Sequence, residues 1–432
     1  MTAIEENRQT ALQKLLGTGK LALPRGVTSV CSAHPLVIEA ALRRAAAEDR
    51  PALIEATCNQ VNQEGGYTGM TPAGFRRFVE DIAAAADFPA ERIILGGDHL
   101  GPNPWRKLPA EEAMARASAM VAAYVEAGFE KIHLDTSMGC AGEPAALEDE
   151  VTAARAAHLA KAAEEASHRA PRRPPVYIIG TEVPPPGGAT HALREIDITR
   201  ADAALKTLAV HRASFAEAGL ASAMERVIGI VVQPGVEFGN TNVALYQPDR
   251  AIGLIRSLDE MPGLIFEAHS TDYQPSSALS ALIDGGFAIL KVGPGLTFAL
   301  REALYGLDAI AGVLAGTTAQ TGLAAAMEAI MVEQPAHWAG HYSASPEEER
   351  LQRHFSYSDR IRYYWPDPRA SAAVDELFSR LPGDIPETLI SQYLARLYPD
   401  VVSKRIAPNA RELCLAAIDA ALAPYSAATA MQ

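Results

Sequence analysis

Eight short apolar runs recur along the chain, each breaking into a polar cluster: Val27–Ser32, Ala52–Thr57, Arg92–Gly97, Lys131–Asp135, Val176–Thr181, Val227–Val232, Leu264–Ala268 and Phe287–Val292. Runs of this length, rich in β-branched residues and bounded by turn formers, predict strands. The stretches between them carry helical patterning, so strands and helices alternate. Eight such units predict a (β/α)8 TIM barrel. In that fold the C-terminal strand ends gather at one mouth, where active sites lie. The polar ends are His34, Cys58-Asn59-Gln60, Asp98-His99, Asp135-Thr136-Ser137, Glu182, Gln233, His269-Ser270 and Lys291, and they form the candidate site.

The helices predicted between the strands include Pro35–Asp49, Pro72–Ala86, Glu111–Gly128 and Leu147–His168. Thr71 and Pro72 read as N-cap and first helical residue. The loop from Asn59 to Met70 is long and rich in amides, which favours a substrate loop over disorder. Glu182–Gly188 holds three prolines and two glycines and reads as a lid or a stiff loop.

At 432 residues the chain exceeds a minimal barrel of about 250 residues. No linker marks a second domain. The expectation is a single barrel domain, with residues 1–24 as an N-terminal helix, 25–300 carrying the strands and 301–432 as extra C-terminal helices. Two irregular segments interrupt that tail, Trp338–Ser345 and Ser356–Trp365.

Composition narrows the function. With 48% hydrophobic residues the chain can bury a large core, yet no apolar run reaches the roughly 18 residues of a membrane span. The N-terminus lacks the apolar segment of a signal peptide. The four cysteines have no metal-like spacing and read as reduced thiols, which suits the cytoplasm. A net charge of −14 argues against nucleic acid or an anionic membrane as partner. It leaves a phosphorylated metabolite open, since a few local donors can hold one phosphate.

The chemistry converges on six strand ends. Gly96 and Gly97 precede Asp98-His99 and would let a ligand approach the backbone. Neighbouring strand residues point to opposite faces, so Asp98 and His99 share a site only if the strand ends and twists there. Asp98 suits a general base and His99 a divalent metal, although a capping Asp beside a hydrogen-bonded His is the plainer alternative. His269 supplies a second imidazole on the same rim, with Ser270 beside it for substrate. Glu182 adds a carboxylate, as metal ligand or acid–base group. Such a set fits Zn²⁺, Mn²⁺ or a related ion. Gln233 and Asp135 could hold sugar hydroxyls, with loop closure and helix capping as alternatives. Lys291, followed by Gly293-Pro294-Gly295, lies where barrels often hold phosphate. Arg360 and Arg362 are further phosphate candidates, or surface ion-pair formers. His34 is a weaker candidate, and His133, inside its strand, reads as structural. No P-loop and no strand-borne GxGxxG is present, so no nucleotide cofactor is expected.

The segments Ser32–Pro35, Glu55–Met70, Gly96–Asn103, His133–Met138, Gly180–Pro184 and Phe266–Gln274 resemble the GatZ/KbaZ family over essentially the whole chain. That family is named for a noncatalytic subunit of class II D-tagatose-bisphosphate aldolase. Some members are called tagatose 6-phosphate kinases and others are D-tagatose 6-phosphate 4-epimerases. The resemblance implies a class II aldolase-like barrel in which Asp98 acts as acid or base and His99 and His269 bind the metal, most simply zinc. The remaining aldolase histidine has no counterpart, because the sixth strand offers Gln233.

Two functions follow from the resemblance, and unphosphorylated tagatose or fructose stays open as a substrate. One is a C4 epimerase of hexulose 6-phosphates, acting in galactitol catabolism. Carbon 4 is β to the C2 ketone, so its hydrogen is not acidic by enolisation. Without a nicotinamide, retro-aldol cleavage of C3–C4 is the accessible route. The other is a noncatalytic subunit that stabilises an aldolase. Expected partners are therefore a sugar phosphate, and a second copy of the chain or an aldolase subunit.

Overall fold

The computed structural model describes residues 12, 26–170, 173–181, 196–316, 322–342 and 345–430. The proline-rich loop Glu182–Gly188, and all of the expected N-terminal helix except Leu12, fall outside those residues.

Eight parallel strands close into a barrel in the order β1-β10-β9-β6-β5-β4-β3-β2. They are β1 (Val27–Cys31), β2 (Ala52–Thr57), β3 (Ile93–Leu100), β4 (Lys131–Leu134), β5 (Val176–Ile179), β6 (Val227–Val231), β9 (Ile265–Ala268) and β10 (Phe287–Val292). Each thus neighbours the next barrel strand in sequence, which the expected alternation requires. A short antiparallel hairpin, β7 (Glu237–Phe238) with β8 (Val243–Ala244), interrupts the connection from β6 to β9. Among the described residues no helix is long and apolar enough to cross a membrane, and all four cysteines are free thiols.

Period-two alternation builds the barrel interior in layers. Leu53 and Glu55 share a face of β2, Ile94, Gly96 and Asp98 a face of β3, Lys131 and His133 a face of β4, Ile265, Glu267 and His269 a face continuing from β9, and Ile289 and Lys291 a face of β10. The lowest layer is apolar, with Val27, Leu53, Ile94, Ile178 and Ile289 buried together. The layer above is ionic. Side chains of Glu55, Lys131 and Glu267 are fully buried, and Lys131 Nζ lies 2.8 Å from both Glu55 Oε1 and Glu267 Oε2.

Helix caps follow the local sequence. Thr71 Oγ1 accepts from the Gly74 N–H at 3.2 Å and Pro72 opens the helix. His34 caps Pro35–Ala47 through Nδ1, which accepts from Leu36 N–H at 3.3 Å. The described part of the tail after the barrel is mostly helical. Its last helix, Ala410–Thr429, packs on Pro35–Ala47, Ser276–Asp284 and Pro294–Leu314. Arg44 fastens that return with two bonds to Asp419 at 2.6 and 2.7 Å. The irregular segment around Arg360–Tyr364 forms a short 3-10 turn over the mouth, where the Tyr363 ring meets Tyr67 of the long β2 loop at 4.6 Å.

Candidate active site

Strand β3 continues three residues past its expected end, and its last turn sets the site. His99 has φ +48°, a conformation that costs a non-glycine residue roughly 1–3 kcal/mol. The β3–β4 register slips between Gly97 and Leu100 at the same place. That twist lets adjacent Asp98 and His99 face one cavity. The rings of His99 and His269 approach to 4.8 Å, and Ser270, with φ +53°, turns the chain away after His269.

Both imidazoles are oriented by a carboxylate. His99 Nδ1 lies 2.8 Å from Asp135 Oδ2, and His269 Nε2 lies 2.8 Å from Glu267 Oε1. Facing carboxylate oxygens, those nitrogens donate. Histidines that ligate metals are held in this way. His99 Nε2 is 3.8 Å from Asp98 Oδ2, and Asp98, His99, His133 and His269 each bring one ligand atom within 4.8 Å of the others.

His133, read above as structural, belongs to this cluster. Its Nε2–H donates to the Gly180 carbonyl at 2.9 Å, and its Nδ1 lies 3.0 Å from Asp98 Oδ1. The same Nδ1 lies 3.2 Å from the His99 backbone nitrogen, so both ring nitrogens of His133 are engaged within the cluster. The donors that could hold a divalent cation are therefore His99 and His269, with Asp98 adjoining. Behind these donors two ammoniums, Lys131 and Lys291, meet three carboxylates, Glu55, Glu267 and Asp98.

Lys291 lines the cavity, with its ammonium committed to carboxylates. Its Nζ lies 2.8 Å from both Glu55 Oε2 and Asp98 Oδ1, inside the barrel. Burial alone would lower its pKa, but Asp98 and the neighbouring acids push it well above the ordinary lysine value. Burial likewise opposes the charge on Asp98, yet His99, Lys291 and the His133 bond hold its carboxyl well below the usual range. Asp135 behaves similarly: the His99 contact outweighs burial and brings it to about 2.

Other expectations are corrected by geometry. Gly96 and Gly97 do not open the backbone to a ligand. A Cβ on Gly96 would lie 2.7 Å from Glu55 Cγ, and one on Gly97 would meet Leu100 and Tyr124. The glycines admit protein side chains, and at Gly96 that lets Glu55 reach Lys131. Gln233 points away from the cavity, its Oε1 accepting from Gly235 N–H and Val236 N–H at 2.8 and 2.9 Å. It closes its own loop because the turn leaves those N–H groups needing an acceptor. His34 serves as a helix cap. Asp135 and Ser270 do line the cavity.

The cavity encloses about 210 Å³. Arg360 and Arg362 enter its wall from the tail and flank one ring, their guanidinium carbons 5.1 and 4.5 Å from the Tyr363 centroid. Arg360 Nε donates to the His337 carbonyl, and Arg362 donates to Ser358 and Asp359 carbonyls. Asp272, after β9, also lines it; burial pushes its carboxyl up to about 6, although the backbone N–H groups of Gly295 and Gly293 pull the other way. Reading strand ends alone missed Glu55, Lys131 and Glu267. The available signal was a lone ionic residue within each of three otherwise apolar strands.

Comparison with known proteins agrees with this architecture. Residues 12–430 match the family described as D-tagatose-1,6-bisphosphate aldolase subunit GatZ/KbaZ-like. The chain is 56% identical over 430 residues to a protein of Agrobacterium fabrum (strain C58 / ATCC 33970) named D-tagatose 6-phosphate 4-epimerase, covering 99% of each chain. It also resembles the crystal structure of a probable tagatose 6 phosphate kinase from Sinorhizobium meliloti 1021, with a TM-score of 0.87 and 61% identity, covering 94% of this chain and 100% of that one.

Proposed function

We propose that this chain, which belongs to the GatZ/KbaZ-like family, is an epimerase that interconverts D-tagatose 6-phosphate and D-fructose 6-phosphate at C4. The observation that carries the proposal is the cluster of Asp98, His99 and His269, with Asp135 and Glu267 behind the imidazoles. A divalent cation held by His99 and His269, zinc or manganese by donor type, would supply Lewis-acid stabilisation of negative oxygen.

The protein's own groups account for the remaining steps. Asp98, kept ionised by His99 and Lys291, takes the proton from the C4 hydroxyl. The C3–C4 bond breaks, giving a C4 aldehyde and the enediolate of the C1–C3 half. Arg360 and Arg362 hold the phosphate of the aldehyde half, so it stays bound while the aldehyde turns about C4–C5. Carbon 3 attacks the opposite face, and Asp98 returns the proton to O4. Ser270 and Asp135 are placed to bind hydroxyls of the other half. Glu182 remains a proposed acid–base or metal-binding partner.

The test is to incubate the purified chain alone with D-tagatose 6-phosphate, with and without chelator and re-added cations, and follow sugar phosphates by NMR. Conversion restored by a divalent cation supports the proposal. The family description also suggests a noncatalytic role beside an aldolase. Stimulation of a class II aldolase without conversion by the chain alone would select that role.

A further inference from the structure

A barrel's customary phosphate position is already filled in this chain. One glycine after β10 begins the 21-residue helix Pro294–Leu314. The start of a helix presents unpaired N–H groups and partial positive charge, and barrels often seat a phosphate after their last two strands. Here Asp272 occupies that place. Its Oδ1 accepts from Gly293 N–H at 3.0 Å and Gly295 N–H at 2.7 Å. A Cβ on Gly295 would lie 3.0 Å from the same oxygen, so the glycine admits the carboxylate at close range.

A second feature points to what the cavity takes there. Ser270 is only 5% exposed and lines the same cavity, and its Oγ has no hydrogen-bond partner in the protein. Asp272, 2% exposed, therefore sits on a wall shared with an unpaired hydroxyl. A substrate hydroxyl can donate to a carboxylate and accept from a serine at once. A phosphate can only accept, and at neutral pH it would bring negative charge against negative charge.

We propose that Asp272 is a specificity residue that keeps a second phosphate out of the site. The cavity takes a ketohexose with one phosphate, directed to Arg360 and Arg362, and a neutral hydroxymethyl group near Asp272 and Ser270. It rejects hexulose 1,6-bisphosphates. This inference rests on the hexulose 6-phosphate reading above. It explains how an aldolase-like site can act on a monophosphate.

The experiment compares the full chain with Asp272→Asn and Asp272→Gly, using calorimetry with D-fructose 6-phosphate, D-fructose 1,6-bisphosphate and inorganic phosphate. The wild type should favour the 6-phosphate over the bisphosphate. Asp272→Gly should narrow that preference by about tenfold or more by gaining bisphosphate affinity, as relief of one like-charge contact allows. Asp272→Asn keeps an acceptor for both glycine N–H groups, so it should retain the wild-type thermal midpoint more closely while also gaining bisphosphate affinity. Equal wild-type affinity for both sugars, or an unchanged ratio in both variants, overturns the inference. If the wild type binds no hexulose phosphate, the functional reading fails instead. Inorganic phosphate then decides on Asp272: binding to Asp272→Gly and not to wild type supports its blocking role, and equal binding refutes it.

Discussion

The two walls of the cavity are built differently. On the barrel side, Asp98, His99 and His269 stand at strand ends, and each is fixed by another ionic or imidazole group: His133 and Lys291 for Asp98, Asp135 for His99, Glu267 for His269. On the tail side, Arg360 and Arg362 come from a short turn about seventy residues beyond the last strand, held by a shared tyrosine ring and backbone carbonyls. The first wall places reacting groups through a closed sheet whose interior cannot shift without exposing buried charge. The second grips an anion with guanidiniums, whose fork geometry tolerates small displacements. Chemistry rests on the rigid wall and recognition on the adaptable one.

That contrast can be broken by substitution. The largest effect belongs to Asp98→Asn, which keeps shape and removes basicity. Turnover of D-tagatose 6-phosphate should fall about 10²–10⁴-fold, the usual worth of a general acid–base group, while calorimetry still detects cation binding. Near-normal turnover would move the role elsewhere, with Glu182 the first alternative.

Next is Lys291→Met. It removes the ammonium between Glu55 and Asp98, leaving buried Asp98 without its lysine partner and Glu55 with Lys131 alone. Breaking a buried pair from one side typically costs about 3–5 kcal/mol, so denaturant unfolding should show a loss of that order. A loss no greater than a surface substitution would show that the ionic layer is hydrated or dispensable.

Arg360→Gln and Arg362→Gln should act on the other wall. Each should raise KM for the 6-phosphate by about tenfold with a smaller change in kcat, because uniform binding is lost and the chemistry is not. A fall in kcat with KM unchanged would place the arginines on the reacting wall.

The smallest effect concerns His34. Burial lowers its pKa from 6.5 to about 4, and its neutral ring caps a helix. As pH falls from 6.5 toward 4, the unfolded chain binds a proton here that the folded chain refuses, so stability is lost across that window. His34→Asn retains a cap and removes the titration. Its thermal midpoint should decline less steeply between those pH values, and parallel profiles would contradict the assignment.

Much of the barrel wall was legible in the sequence because strand patterning is local. Apolar runs with polar ends identify strands, and closure then brings Asp98, His99 and His269 together. The ionic layer was harder to see. Glu55 and Glu267 are each one charge among apolar neighbours, Lys131 follows Glu130 at the start of its strand, and only the register shows that the three meet. Lys291 was read by its position near the mouth, yet its side chain turns inward to two acids. Gln233 looked like a binding amide until its loop claimed both backbone donors. Arg360 and Arg362 could be suspected from charge, but no period or strand end says that the tail folds back over the mouth. That fold-back depends on long-range packing, including the contact between Tyr363 and Tyr67.

In the proposed reaction C4 is inverted by cleavage and re-formation of C3–C4 under Asp98, with the C4–H bond never broken. The direct test is to run the reaction to equilibrium in D₂O with the purified chain, its cation and D-tagatose 6-phosphate, and to read the isolated D-fructose 6-phosphate by NMR. The account predicts conversion with protium retained at C4. Deuterium at C4 would contradict it.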